Sequence, residues 1–272
     1  MVNSQNDPGT IINYPDYEKL KAEVEKLRTE LSMLVLEKDV LFLVECRNIE
    51  MMYMLAVGGL EYKVYQLECQ VLRLKRKAEL IQARKNRQER IFVPEIEEAL
   101  DAEFTEYQAR LEEKINRVNA AIERSHSQAL SDEDARELKK LYRSIVKVLH
   151  PDLHPELSDT KLQLFYNAVR AYENGDLEEM RIISAMVGES ELPDIKQDGM
   201  TTLAKEKTRL KDLLKNLRDR IAQIKMEYPY TMKAFVRDPK QVEERKAELE
   251  AAIGQWRDVL ASYKARIDEM LG

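Results

Sequence analysis

Three consecutive residues, His150, Pro151 and Asp152, bring an imidazole, a rigid turn former and a carboxylate together. A histidine ahead of a proline ends a helix, because the residue before proline avoids the right-handed helical region. A helix C-terminus is also where the macrodipole favours positive charge. Upstream, Arg136, Lys139, Lys140, Arg143 and Lys147 recur at helical spacing, and Glu137 is the one acid between Arg136 and Lys147. A cationic stripe ending at a constrained loop reads as a surface for an acidic partner. The plainer readings are a helix C-cap and a solvated helix face. Lying in a loop, the side chains of His150 and Asp152 are both expected to be largely exposed. His150, Asp152 and His154 make a poor metal site, since the loop is proline-constrained and a third strong ligand is missing. No nucleophile–base constellation or carboxylate pair stands out elsewhere, so an enzyme ranks last and no cofactor is expected.

The elements that must position this loop are two helices. Ser131 followed by Asp134 approximates a capping box and opens the first. Leu138, Leu141, Tyr142, Ile145, Val148 and Leu149 form its apolar side, opposite the basic stripe. A loop from Leu153 to Ser158 includes Pro155, and a second helix starts near Asp159 with Leu162, Phe165, Val169 and Tyr172. Asn174-Gly175-Asp176 marks a stop and restart, with Leu177, Met180 and Ile183 on one more short helix.

This arrangement resembles the J-domain, the signature module of DnaJ-type co-chaperones, over roughly residues 130–188. His150, Pro151 and Asp152 stand where that family has its His-Pro-Asp loop. Tyr142 and Ile145 fall on core positions of its second helix, and Phe165 and Ala171-Tyr172 fit the pattern of its third. The family's first helix is not recognisable before Leu130; the end of the helix around Ile122 is expected to substitute for it. Leu149 stands where an aromatic is usual, and the Gly/Phe-rich and Cys-rich zinc segments of full-length DnaJ are absent. The resemblance implies docking on a DnaK-type seventy-kilodalton heat-shock chaperone. The basic stripe would meet an acidic groove on its ATPase domain, and Asp152 would engage an arginine at its interdomain linker, driving ATP hydrolysis.

The rest of the chain reads as long helices. Gly and Pro number 8 each among 272 residues while charged residues make up 35%, which excludes turn-rich β-sandwiches, barrels and propellers. Neither glycine-rich phosphate-loop pattern is present. After a flexible tail at 1–14, Tyr17, Leu20, Val24, Leu27, Leu31 and Leu34 form a heptad seam. Leu60, Val64, Leu67, Val71, Leu74, Ala78 and Ile81 form another beyond Gly58-Gly59. These predict an antiparallel hairpin turning at 58–59, followed by a third helix from Pro94. Residues 73–90 carry net charge +6 and residues 95–113 carry −7, which predicts that these two segments pair antiparallel. The alternative for the basic run, a nucleic-acid or lipid patch, lacks interleaved aromatics for base stacking. The stretch Val40–Val57 is apolar nearly all round, so helix 95–125 or a second copy of the chain must cover it. Met51, Met52 and Met54 are core filler in that reading, or a client-binding surface. Linker signals at 189–202 precede a second expected antiparallel hairpin at 203–272, with rows Leu210–Tyr228 and Leu249–Met270.

The expected architecture is therefore all-α: coiled-coil helices at 15–128, a J-like module at 129–188, and a C-terminal hairpin. Two cysteines, Cys46 and Cys69, suit a reduced buried pair better than a disulfide framework. No apolar signal segment or membrane-length span is visible, and mild acidity argues against general nucleic-acid affinity. The function expected is a cytoplasmic co-chaperone whose coiled coils recruit a client, or join two copies into a homodimer. The competing reading is a structural coiled-coil scaffold with a relic J-like fold.

Overall fold

Low glycine and proline content translates into helix almost throughout. The computed structural model describes residues 15–126, 130–187 and 200–272, and no strand occurs among them. The expected tail at 1–14 and most of the expected linker lie outside the described residues. In order, the helices are α1 (Pro15–Asp39), α2 (Arg47–Tyr53), α3 (Gly59–Asn86), α4 (Val93–Glu103), α5 (Thr105–His126), α6 (Asp132–Leu149), α7 (Asp159–Asn174), α8 (Leu177–Val187), α9 (Met200–Met226), α10 (Lys233–Val236) and α11 (Pro239–Leu271). Two π-helical segments, Val40–Cys46 and Met54–Gly58, fill the intervals between α1, α2 and α3. The chain divides into two units, one built from the chain up to Glu45 and Ala129–Met226, the other from Cys46–Gln128 and Glu227–Gly272.

In the first unit α1 packs along α9. Val24, Leu31 and Val35 are buried on α1, and Leu203, Leu210, Leu214, Leu217, Ile221 and Ile224 on α9. Ion pairs fix the direction. Lys207 meets Glu23 at 2.6 Å, Arg218 meets Glu30, and Lys225 meets Glu37 at 3.5 Å. Residue numbers rise together on both helices, so the pair is parallel. The three-helix group α6, α7 and α8 packs on itself in the same unit, and α1 also packs against α6.

In the second unit α3 packs along α11, again in parallel: Arg245 reaches Glu61 at 3.4 Å, and Ile267 joins the cluster of Ala78 and Ile81 further along. Helix α4 folds back antiparallel on α3, adding Ile96, Leu100 and Phe104 to that cluster. The charge blocks interlock as expected: Lys77 and Arg73 both clamp Glu97, at 2.5 and 2.6 Å, and Arg76 pairs with Glu103 and Arg84 with Glu95.

Three expectations are corrected. Gly58-Gly59 is not a turn; both residues have right-handed helical dihedrals. Gly58 serves close approach instead, since a Cβ there would meet Met54 Sδ at 2.9 Å and Val118 Cγ2 at 3.2 Å. The roughly 1 kcal/mol helix cost of Gly58 is offset by the packing of α5 against α2, α3 and the Met54–Gly58 segment; nothing packs where a Cβ of Gly59 would lie. The seams are also not paired as sequence-adjacent antiparallel hairpins: α1 takes α9 as its partner and α3 takes α11, both in parallel. A heptad pattern states that a helix needs a partner, not which one. Finally, α5 packs against α2 and the Met54–Gly58 segment, and the apolar stretch Val40–Val57 is buried only in part. Ile49, Met54 and Val57 are buried and Met51 is half-buried, but Phe42 and Leu55 remain 48% and 47% exposed.

Candidate functional site

Helix α6 begins as expected: Ser131 Oγ accepts from the Asp134 N–H at 3.1 Å, satisfying one of the unpaired amides of the first turn. Helix α7 starts in the same way, with Ser158 accepting from the Lys161 N–H. At its other end Gly175 adopts φ +70°, the Asp176 N–H donates to Ala171 C=O at 2.8 Å and the Gly175 N–H to Tyr172 C=O. That is a Schellman stop, and it turns the chain sharply into α8. The core between the three helices holds Leu138, Tyr142, Ile145, Val146, Leu149, Phe165, Ala168, Ala171, Tyr172, Met180 and Ile183, all buried. The expected core residues Tyr142, Ile145, Phe165, Ala171 and Tyr172 are all among them. Tyr142 and Tyr172 stack at 4.1 Å and 9°, tying α6 to α7.

The loop between α6 and α7 is tightly built. The His150 N–H still donates to Val146 C=O, and His150 itself turns extended, ending α6 one residue before Pro151. The expectation of an exposed histidine is corrected: His150 is only 4% exposed. Its ring meets the face of Phe165 edge-on at 5.0 Å. Its Nδ1 accepts from the Asp152 N–H at 3.0 Å, which leaves the ring proton on Nε2. Burial holds the His150 pKa below its ordinary value, against the opposing pull of the Asp152 and Asp39 carboxylates. The ring is thus a neutral structural pin for the loop. Asp152 is different: its side chain is 51% exposed and 3.8 Å from His150 Nδ1. His154 folds back onto Lys147 C=O at 2.7 Å.

The stripe flanking this loop is fully displayed. Arg136, Lys139, Lys140, Arg143 and Lys147 are all exposed, and among the described residues none of the five forms an ion pair. The one acid in the stripe, Glu137, is taken by Arg181 of α8 through two bonds of 2.9 and 2.7 Å. That bond holds the Glu137 carboxyl below its usual range. Five exposed cations therefore run along α6 from its second turn to its last, and the half-exposed carboxylate of Asp152 follows just beyond.

Two residues of this region were not legible as functional. Asp39, on α1, is 6% exposed, and its Oδ2 accepts from the Tyr142 hydroxyl at 2.8 Å. Its signal was an acid interrupting the row Leu31, Val35, Leu43 at four-residue steps. Arg181 gave no signal, because its partner is 44 residues away. The expected substitute for a first helix is also corrected: α1 packs against α6, while Ile122 is 40% exposed.

In the second unit a small cavity is lined by Tyr53, Met54, Gly58, Glu61, Tyr62, Lys114, Arg117 and Tyr228. Its charged groups are largely spent on one another: Arg117 on Glu50 at 2.8 Å, and Glu61 on Tyr53 and Arg245. Burial pushes the Tyr53 and Tyr228 hydroxyls up to about 12, away from acid–base work at neutral pH. Among the described residues no group of three or more His, Cys, Asp or Glu is poised for a metal, and no helix is long and apolar enough to cross a membrane. Cys46 and Cys69 are buried and form no disulfide. Comparison with protein-family models, with curated proteins and with solved structures finds no match to this chain.

Proposed function

We propose that this chain is a co-chaperone of the DnaJ type, acting in the cytoplasm on a DnaK-type seventy-kilodalton chaperone and carrying no active site of its own. The observation that carries the reading is the end of α6. An unpaired five-cation stripe runs into a His-Pro-Asp loop whose histidine is pinned inside and whose aspartate is displayed outside. In this reading Arg136, Lys139, Lys140, Arg143 and Lys147 steer the module onto an acidic groove, Pro151 fixes the loop, and Asp152 meets a cation of the chaperone and triggers hydrolysis. The parallel pairs α1/α9 and α3/α11 recruit the client or a second copy. The test is single-turnover ATP hydrolysis by the chaperone with wild type, Asp152→Asn and a Lys139/Lys140/Arg143→Glu variant. Stimulation by wild type alone supports the reading.

The extent of the paired helices favours a second reading, a coiled-coil scaffold in which the module only packs. It predicts no stimulation by any of the three proteins.

A further inference from the structure

Helix α6, which leads into the His-Pro-Asp loop, is bonded from outside its own module. Asp39 ends α1, and the chain becomes π-helical at the next residue, Val40. Its carboxylate is buried, with Oδ2 accepting from Tyr142 Oη at 2.8 Å and Oδ1 3.1 Å from Lys38 Nζ. Tyr142 in turn stacks on Tyr172. One carboxylate therefore ties α1 to α6 and, through two rings, to α7. His150 lies near enough to Asp39 and Lys38 that both charges bear on its ring. Burying a charged pair gains little stability over apolar packing, and its best-attested use is to fix one arrangement among several. An apolar residue at 39 would continue the row of Leu31, Val35 and Leu43; an acid there demands Tyr142 and no other register.

We propose that Asp39 is a positioning residue for the loop: the Asp39–Tyr142 bond sets α6 against α1 and thereby holds His150 in its buried, docking-competent place. Its functional consequence rests on the co-chaperone reading; its structural content does not. The module is then competent only while α1 is in place beside it, so the α1/α9 pair controls the loop.

The experiment uses the full chain with Tyr142→Phe, which keeps the stacked ring and removes only the hydroxyl, and Asp39→Asn as a second variant. Histidine-ring proton–carbon NMR spectra are readily assigned because the chain has three histidines. The His150 resonances are expected to move in both variants. The double variant moves them no further than the larger single change, since both remove the same bond. Unchanged His150 resonances in either variant overturn the proposal. In the ATPase assay each variant is expected to raise the concentration for half-maximal stimulation about tenfold while leaving the maximum intact, the pattern of a smaller competent population. A lowered maximum with unchanged half-saturation overturns it. Failure of the wild type to stimulate any chaperone defeats the function proposed above, and the ring spectra still decide the role of Asp39.

Discussion

Separate substitution of His150 and Asp152 distinguishes a structural residue from a docking residue within one tripeptide. His150→Gln removes an edge-to-face contact with Phe165 at 5.0 Å, worth roughly 0.5–1.5 kcal/mol. It also removes the acceptor for the Asp152 N–H, worth about 1 kcal/mol. It places a flexible amide in a site only 4% exposed, at a further cost of roughly 1 kcal/mol where the amide stays unpaired. The sum is about 2–4 kcal/mol, or a lowering of the melting temperature by roughly 4–16 °C at about 2–4 °C per kcal/mol. Asp152→Asn alters a half-exposed side chain and is expected to change stability by about 0.5 kcal/mol or less. Far-ultraviolet circular dichroism melts at neutral pH read both. If the two variants melt within about 1 °C of each other, the ring is not the pin described here. Loss of stimulation in His150→Gln therefore mixes folding with docking, and Asp152→Asn is the cleaner probe.

Stability is expected to depend on pH through His150. Its folded pKa lies below that of the unfolded chain, so its contribution is full above about 6.5 and is lost as pH falls through the folded value, where only the unfolded chain takes the proton. Urea titrations across that window should show stability rising with pH in wild type and a flatter slope in His150→Gln; equal slopes would contradict this. Glu97→Gln weakens the clamp of Lys77 and Arg73 on α4 and is expected to cost about 0.5–1 kcal/mol at low salt, shrinking at high salt. A loss equal at both salts would contradict it. Zero-length carbodiimide coupling followed by peptide mass spectrometry is expected to join Lys207 to Glu23 and Lys225 to Glu37. Coupling of Lys225 to acids at the start of α1 would contradict the parallel pairing.

What could be read from the sequence was the local part of the structure. The rows of Leu210, Leu214, Leu217, Ile221 and Ile224, and of Leu67, Val71, Ala78 and Ile81, are buried as their spacing requires. Ser131, Pro151 and Gly175 act as helix punctuation, because capping is decided within a few residues. Opposite blocks of charge found each other across the short 87–92 connector for the same reason. Partner choice was not legible. Glu23 and Lys207 are separated by 184 positions, and nothing in either heptad names the other. Gly58-Gly59 misled because a glycine that admits a neighbouring helix and a glycine that turns the chain look alike. The burial of His150 was not legible because its ring packs on Phe165, on the next helix, rather than on its neighbours in sequence. Asp39, which accepts from the Tyr142 hydroxyl, lies 103 positions from it in sequence.

The central claim is that α6 and its loop drive a DnaK-type chaperone. Its most direct test is the rate of single-turnover ATP hydrolysis by such a chaperone, preloaded with nucleotide and mixed with this protein. Wild type is expected to accelerate hydrolysis, Asp152→Asn to abolish the effect with an unchanged melting temperature, and Lys139/Lys140/Arg143→Glu to weaken it, mainly through the association rate and with a flattened salt dependence. A folded wild-type protein that leaves the hydrolysis rate of every DnaK-type chaperone tried at its basal value would contradict the account.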